Sequence, residues 1–318
     1  MDELWDCVVV GGGAAGLSAA LALGRARRRT LVVDAGRQSN LPAHGIGGLL
    51  GHDGRSPAEL YAIGRDELGA YPSVAVRSGI VVAARREGDG FVLETDGGDR
   101  ERSRRVLLAS GMEYRRPALP GVQELWGGTV FHCPFCHGWE VREQPLAALA
   151  NGERGVHAAL LLRGWSEDIV LLTDGPAELD TEGRERLTRA GIVVDERPIA
   201  GLRAAADGSL AAVCFADGSE LARAGLLVSA PLHQRCDLAR QLGAATADPS
   251  PAVADAVAVD AFCRTTAPGV FAAGDVSARM PQVASAVAAG ALAGAAVVQS
   301  LLADDYGLPL PPGGPRLD

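Results

Sequence analysis

The sequence predicts an α/β protein built on two βαβ units. Its 318 residues match two domains of ordinary size. The first unit begins with an apolar strand, Asp6 to Val10, and passes through a glycine turn and a helical pattern to a second strand that ends at Asp34. The second unit begins at Leu146 to Ala150 and returns as a strand that ends at Thr173. A proline-containing stretch, 115–121, lies between the units and predicts a domain border.

The charge balance excludes several classes of function. The formal net charge is −9, so the chain lacks the basic surface that nucleic-acid binding requires. All 30 basic residues are arginines, and a chain without lysine has neither a Schiff-base nucleophile nor the lysine of a P-loop. Hydrophobic residues make up 47% of the chain, which is enough for a large core and excludes a disordered protein.

The chain ends and the cysteines predict a cytoplasmic location. The segment Met1 to Asp6 carries acids where a secretory signal carries positive charge. The long apolar stretch Ala284 to Ala303 consists mainly of Ala and Gly, so we expect a buried helix and no membrane span. Six cysteines in a chain without an export signal favour a reducing compartment, where a close pair is catalytic or binds metal.

The first glycine turn predicts a nucleotide site. Gly11, Gly13 and Gly16 have the Gly-x-Gly-x-x-Gly spacing between a strand and a helix. The first glycine permits the tight turn, the second lets a pyrophosphate approach the backbone, and the third lets helix and strand pack closely. Asp34 ends the next strand, where a carboxylate can accept hydrogen bonds from ribose hydroxyls. The alternative is a glycine-rich turn that binds no ligand.

The second motif is a Cys-x-x-Cys pair, Cys133 and Cys136, with His132 and His137 beside it. Such a pair holds a metal, cycles between dithiol and disulfide, or is inert. A structural zinc site needs a second pair of ligands, but the later cysteines are single and widely spaced, at Cys214, Cys236 and Cys263. We therefore predict a redox pair and no metal site.

Three features occur in order along the chain: the turn Gly11 to Gly16, the pair Cys133 to Cys136, and the segment Thr265 to Asp275. Together they make the chain similar to the low-molecular-weight thioredoxin reductase family over nearly its whole length. The resemblance implies two Rossmann-like domains of the three-layer ββα kind, each of the nucleotide-binding type, with the second inserted in the first. Residues 1–113 and 243–318 would bind FAD, and residues 114–242 would form a degenerate pyridine-nucleotide domain that carries the cysteine pair.

The resemblance also implies where FAD binds. Gly11, Gly13 and Gly16 would hold the pyrophosphate, Asp34 the adenosine ribose, and Asp275 the ribityl or pyrophosphate region. The helix that starts at Gln282 and Val283 would direct its first amides at the flavin C2 carbonyl. Further FAD contacts are expected at Ala14, Ala15, Arg37, Asn40, Val81, Gly111 and Gly274.

Roles for the redox motif follow from the same resemblance. Cys136 would lie beside flavin C4a, Cys133 would face the substrate, and His137 occupies the place where the reductases have an acidic proton donor. Because free thiols have a pKa around 8.5, attack at neutral pH needs a base, and an imidazole titrates in that range. The alternative for His137 is a structural contact.

The chain departs from the reductases at two places. Their second fingerprint for NADPH, Gly-x-Gly-x-x-Ala, is here Ala150 to Gly155, without the first glycine. Their His-Arg-Arg cluster for the 2′-phosphate is here Thr173 to Gly175, with a carboxylate at Asp174 that repels a phosphate. The alternative is a divergent but working site, for example one for NADH.

The redox motif itself, Cys-Pro-Phe-Cys-His-Gly at residues 133–138, resembles that of the FAD-dependent dithiol oxidases of the holomycin, gliotoxin and romidepsin type. The resemblance implies that a small natural-product dithiol, as in antibiotic biosynthesis, is closed to an intramolecular disulfide. Oxygen would take the electrons and give hydrogen peroxide, in a homodimer with no nucleic-acid or membrane partner. The alternatives are an NAD(P)H-dependent thioredoxin or disulfide reductase, a redox sensor, and a structural protein without FAD.

Overall fold

The computed structural model describes residues 4–278 and 280–312. The acidic start of the chain therefore lies outside the described residues as far as Glu3. In chain order the strands and helices are β1 (Leu4–Val10), α1 (Ala14–Arg25), β2 (Thr30–Asp34), α2 (Pro57–Leu68), β3 (Val74–Ser78), β4 (Val81–Glu87), β5 (Gly90–Thr95), β6 (Arg100–Leu108), β7 (Met112–Tyr114), α3 (Val122–Leu125), β8 (Val130–Phe131), α4 (Pro134–His137), β9 (Leu146–Leu149), α5 (Gly152–Leu162), β10 (Ile169–Leu172), α6 (Thr181–Arg189), β11 (Val193–Asp195), β12 (Ile199–Ala204), β13 (Leu210–Phe215), β14 (Glu220–Ala222), β15 (Gly225–Val228), β16 (Leu232–Gln234), α7 (Leu238–Gln241), β17 (Val270–Ala272) and α8 (Val283–Tyr306).

The chain divides into two compact units. The first comprises residues 1–39, 57–114 and 232–318, and the second comprises residues 40–56 and 115–231. Each unit contains one of the predicted βαβ patterns, and the predicted α/β class is confirmed.

The first unit is built on a sheet with the strand order β3-β2-β1-β6-β5-β4, in which β17 also pairs with β6. β3, β2, β1, β6 and β17 run parallel, whereas β5 pairs antiparallel with β6 and with β4. The parallel strands therefore end at one edge of the sheet, which is where α/β sheets bind ligands.

Both faces of this sheet are covered, which explains why β1 reads as a continuous apolar run. Successive side chains of a strand point to opposite faces. Cys7 and Val9 belong to a core shared with α1 and α8, and Val8 and Val10 belong to the core on the opposite face.

The Ala-rich stretch forms α8, which is long and apolar enough by length and composition to cross a membrane. It packs on α1, because its glycines let the two backbones come close. A β-carbon at Gly290 would overlap the carbonyl group of Ala15, and one at Gly294 would lie 2.8 Å from the carbonyl oxygen of Ala19. The Ser18 hydroxyl donates to the Val287 carbonyl at 2.7 Å. The predicted helix is confirmed, and the face that it turns toward α1 is buried.

The second unit has three layers. Its parallel sheet has the order β11-β10-β9-β15-β8, and β12, β13 and β14 form a separate antiparallel sheet. One face of the parallel sheet packs on α5 and α6, through residues such as Leu146, Val156 and Leu187. The other face packs on the antiparallel sheet, through residues such as Ala147 and Val213.

The carboxyl border of the inserted unit differs from the sequence prediction. The sequence predicts that the inserted unit ends at residue 242, but residues 232–242 belong to the first unit. The physical reason is long-range pairing, since β16 runs antiparallel to β7 and Leu238 and Leu242 are buried in the first unit's core. The loop 40–56, predicted as part of the FAD domain, belongs to the second unit.

Candidate active site

The predicted nucleotide turn lies where β1 ends and α1 begins. Gly11 has a φ of 108°, which favours glycine, and a β-carbon there would overlap the carbonyl group of Ala109 at the end of β6. A β-carbon at Gly16 would overlap the carbonyl oxygen of Gly11. The first turn of α1 therefore lies directly against the end of the strand, as the spacing predicts.

The middle glycine leaves space for a ligand. Among the described residues, a β-carbon at Gly13 would have one neighbour within 4 Å, the Gln38 side chain at 3.6 Å. Gly13 caps α1 without a side-chain hydrogen bond, and the first turn of α1 contains no acid. The start of α1 therefore suits an anion such as a pyrophosphate.

Asp34 lies beside this turn. Its carboxylate accepts hydrogen bonds from the Gly12 amide at 3.2 Å and the Gly36 amide at 3.1 Å. Gln38 also donates to it, at 3.0 Å, and to the Gly12 carbonyl at 3.3 Å. Sequence reasoning missed Gln38, because a glutamine in a loop carries no spacing signal.

Asp275 follows β17 at the same edge of the sheet. No described residue donates a hydrogen bond to its carboxylate, and burial raises the pKa of Asp275 to about 6, although Arg235 opposes the shift. A half-buried carboxylate without a donor is unfavourable in surroundings poor in water. A hydroxyl donor, such as a ribityl group, would satisfy it.

Gly274 positions this carboxylate next to the nucleotide turn. Its φ is 79°, and a β-carbon would lie 2.7 Å from the β-carbon of Ala15 in α1. The helix α8 begins a few residues later, with Gln282 as its N-cap and Val283 as its first residue. It has neither a side-chain cap bond nor an acid in its first turn.

The remaining predicted FAD residues lie at the start of α1, after β2 and β6, at the start of β4, and in the loop 40–56. Ala14 and Ala15 open α1, and Gly111, with a φ of 66°, follows β6. Arg37 is exposed after β2, whereas the Val81 side chain is buried at the start of β4. All of the predicted FAD residues belong to the first unit except Asn40, which lies in the loop 40–56 of the second unit.

The redox pair lies in the second unit at the start of the short helix α4. Cys133 is the N-cap, and Pro134 takes the first helical position, where a missing N–H costs no hydrogen bond. Both cysteines are partly buried free thiols. Hydrogen bonds from the Cys136 thiol and from the amides of Cys136 and Phe135 lower the pKa of Cys133, although burial opposes them. These hydrogen bonds therefore favour the thiolate form of Cys133.

His137 lies one residue beyond the pair. Its ring stacks on Phe131, with centroids 5.8 Å apart. The carbonyls of Cys133 and Gly127 approach the ring, yet neither nitrogen makes a well-formed hydrogen bond with a described residue. Burial lowers the pKa of His137, and the Glu140 carboxylate opposes this only in part. The imidazole is therefore neutral near pH 7 and can accept a proton.

Two of the four other histidines in this unit interact electrostatically with His137. His132 stacks on Trp126 at 5.6 Å, and burial, together with His137, lowers the pKa of His132 to about 4. His44 belongs to the loop 40–56, and its electrostatic effect also lowers the pKa of His137. Neither carries a catalytic assignment from the sequence.

The loop 40–56 packs against the redox pair within the second unit. A β-carbon at Gly47 would lie 2.8 Å from the Cys136 carbonyl oxygen. The loop is held by hydrogen bonds between Ile46 and residues 54–55, and by the Gly48 amide, which donates to Asp53 at 2.8 Å. Gly47 was not predicted, although the density of glycines between 45 and 54 is a signal for close backbone approach.

The second βαβ turn keeps the fold of a nucleotide turn, but a side chain of the turn occupies one of its amides. A β-carbon at Gly155 would lie 2.9 Å from the Ala150 carbonyl oxygen, the same helix-to-strand approach as in the first unit. However, the Asn151 side chain accepts from the Gly152 amide at 2.8 Å and from the Glu178 amide at 2.9 Å. It also donates to the Pro176 carbonyl at 3.0 Å. The amide that would face a phosphate is thus already bonded.

Comparison with known proteins assigns the family. The model of the pyridine nucleotide-disulphide oxidoreductase family matches residues 5–290. The chain belongs to this family. The thioredoxin reductase tcpT of Claviceps purpurea is 33% identical over 94% of this chain and 95% of its own length. The chain is a flavin-dependent thiol-disulfide oxidoreductase, since members of the family are flavoproteins, typically with FAD.

Solved structures agree with this assignment. An oxidoreductase from Agrobacterium tumefaciens has a TM-score of 0.88 and 38% identity, over 95% of this chain and 99% of that one. HlmI has a TM-score of 0.90 and 35% identity, over 96% of each chain. The resemblance to thioredoxin reductases stated from the motifs is confirmed.

The residues of the first unit fit the cofactor of this family. The open space at Gly13 and the uncapped start of α1 suit a pyrophosphate. Asp34 suits a ribose, and the Asp275 carboxylate, which has no described donor, suits a sugar-alcohol hydroxyl.

Replacing Gly47 tests whether the loop holds Cys136 in place. We expect Gly47→Ala to keep its flavin but to lose about tenfold or more in dithiol turnover, because the added methyl displaces the Cys136 backbone. Gly164→Ala is the matched control, since its β-carbon meets its nearest neighbour at 3.4 Å in the same unit. Turnover of Gly47→Ala at the wild-type rate would contradict this role.

Asp275 gives a prediction about stability and pH. Its pKa is raised in the folded state, so the cost of burying the charge is present above about pH 6 and absent below about pH 4. In FAD-free protein, Asp275→Asn should therefore raise the free energy of unfolding at pH 8, by up to about 3 kcal/mol, and leave it unchanged at pH 4. Denaturant melts at the two pH values measure this, with the exposed Asp248→Asn as control. An equal change at both pH values would contradict the assignment.

Proposed function

We propose that this protein is an FAD-dependent dithiol oxidase that closes an intramolecular disulfide in a small molecule, with oxygen as electron acceptor. The observation that carries the proposal is the closed second turn. Asn151 already bonds the Gly152 amide that a pyridine nucleotide would need. Glu153 in the first turn of α5 adds negative charge where a phosphate would bind.

Asp174 supports the same conclusion. It follows β10, where the reductases carry their cationic cluster, and its carboxylate accepts from the Ile199 amide at 2.7 Å. A carboxylate fixed at this position opposes a 2′-phosphate. In the proposed reaction no pyridine nucleotide takes part, and the electrons enter through the thiols of the substrate.

Thiol-disulfide exchange assigns different roles to the two cysteines. In the oxidised enzyme a substrate thiolate attacks Cys133, forms a mixed disulfide and releases the Cys136 thiolate. The second substrate thiolate then attacks the substrate sulfur, forms the cyclic disulfide and releases Cys133 as a thiolate. A sulfur of lower pKa leaves faster, so the hydrogen bonds that lower the pKa of Cys133 favour this release.

His137 supplies the proton acceptor. Its neutral imidazole takes a proton from a substrate thiol, which increases the fraction of attacking thiolate at neutral pH. Stacking on Phe131 fixes the ring beside the pair.

Oxidation of the substrate requires an acceptor for two electrons. When bound, FAD supplies a two-electron acceptor that returns the cysteine pair to the disulfide and reacts with oxygen. The sum is balanced: one dithiol and one dioxygen give one cyclic disulfide and one hydrogen peroxide.

The partners of this reaction are a small dithiol and oxygen. We infer a natural product of the antibiotic type, a cytoplasmic location and a homodimer, as the motif resemblance implies. The second candidate is an NAD(P)H-dependent disulfide reductase, which the names of the relatives favour, since several are called thioredoxin reductases.

An anaerobic flavin titration separates the two candidates. We expect a small dithiol to bleach the visible absorbance of the bound flavin rapidly and NADPH to bleach it slowly or not at all. Cys136→Ser should keep the flavin and lose turnover, while Cys214→Ser, a partly buried cysteine in β13, keeps both. Rapid bleaching by NADPH would favour the reductase instead.

His137 gives a prediction about pH. Because its pKa is lowered, it stays a base at a pH where an ordinary imidazole is protonated, so the acidic limb of kcat/KM for the dithiol should lie below pH 6.5. His137→Gln should remove this limb and lower the rate at pH 7 by about a hundredfold. The exposed His157→Gln is the control. An unchanged pH dependence of kcat/KM in His137→Gln would show that His137 has only a structural role.

A further inference from the structure

Aromatic residues concentrate around the redox pair. Only 4% of the chain is aromatic, yet Phe131, Phe135 and Trp139 lie within the nine residues 131–139. Trp165 joins them in space, because its ring meets Phe135 edge to face with centroids 5.3 Å apart. Phe131 is buried and supports His137. The other rings have no role in the exchange steps.

Two of these rings face solvent at the pair. In the second unit, Phe135 is 56% exposed and Trp139 is 66% exposed. The Gly138 amide donates to the Pro134 carbonyl at 2.7 Å, and Gly138 itself is helical, so residues four apart lie on the same side of this turn. Phe135 and Trp139 thus form one surface, here called the aromatic ledge.

The ledge is rigid. The Phe135 ring packs against Trp165, whose ring would lie 2.8 Å from a β-carbon at Gly138. The Arg142 guanidinium stacks on Trp139 at 3.8 Å and donates to the Trp139 carbonyl at 2.7 Å. Rings that are already held lose little entropy when a ligand binds to them.

The ledge adjoins the sulfur that reacts with the substrate. Phe135 is the second residue of α4, whose N-cap is Cys133, and its side chain is exposed. A substrate sulfur bonded to Cys133 lies about 2 Å from the Cys133 sulfur. The group that carries this sulfur is therefore within reach of the exposed Phe135 ring.

The exposed area of the ledge suits a small molecule better than a protein partner. A large aromatic side chain buries about 150–250 Å², so two rings exposed by 56% and 66% offer only about 200–300 Å². A specific protein interface needs about 800 Å² from each partner. The chain beyond Trp139 carries exposed charges at Glu140, Arg142 and Glu143.

We propose that Phe135 and Trp139 are specificity-determining residues that select dithiols carried on a flat apolar ring. This inference rests on the proposed function and names the substrate class of the same site. Ring stacking holds the substrate so that its second thiol remains next to the mixed disulfide. An aliphatic dithiol gains no such contact.

The experiment compares benzenedimethanethiol, with two adjacent thiol arms, against dithiothreitol as substrates of the FAD-bound enzyme in an oxygen electrode. The wild-type enzyme should have the lower KM for the aromatic dithiol. Phe135→Ala and Trp139→Ala should each reduce this preference about three- to tenfold. Phe135→Tyr and Trp139→Phe should restore it, and Val193→Ala, an exposed residue of the same unit, should leave it unchanged.

Binding is measured separately from the tryptophan fluorescence of the Cys133→Ser variant titrated with each dithiol, because this variant cannot form the mixed disulfide and is not reduced by the dithiol. Aromatic preference in binding without oxygen uptake would support the ledge and overturn the proposed function. Oxygen uptake with equal preference for the two dithiols in wild type and alanine variants would overturn the ledge alone. A reduced thioredoxin that competes with benzenedimethanethiol, and stops competing in the alanine variants, would also overturn it by assigning the surface to a protein.

Discussion

The chemistry of this protein depends on how the first turn of α4 holds the Cys133 sulfur. Pro134 fixes the backbone at the first helical position and has no N–H of its own, so the donors come from Phe135 and Cys136. These hydrogen bonds favour the thiolate of Cys133 over its thiol. They make it a good leaving group in thiol-disulfide exchange.

The glycine turns of the two βαβ units have similar backbone contacts but differ at the start of the helix that follows. In both units the third position of the turn lies against the carbonyl of the first, Gly16 on Gly11 and Gly155 on Ala150. The first turn leaves its helix start open, whereas Asn151 closes the second. The second unit thus keeps the backbone of a nucleotide turn and also carries the redox pair.

Local patterns predicted much of this molecule. The glycine spacing identified the first turn, and the adjacent cysteines and His137 identified the redox segment, because each is set by a few consecutive residues. Long-range contacts were not predicted. The pairing of β16 with β7 moved a domain border to 231, and Gly47 approaches Cys136 from a loop that is distant in sequence. Gln38 was also not predicted, because the sequence does not show which of its many carboxylates the Gln38 side chain contacts. In the structure that carboxylate is Asp34.

We propose that electrons from a substrate dithiol reach oxygen through Cys133 and Cys136. The decisive experiment measures dioxygen, hydrogen peroxide and thiols simultaneously, with no pyridine nucleotide present. We expect one dioxygen to disappear and one hydrogen peroxide to form for each pair of thiols lost, over many turnovers. Oxygen uptake that begins only after NADPH is added, or thiol loss without peroxide, would contradict it.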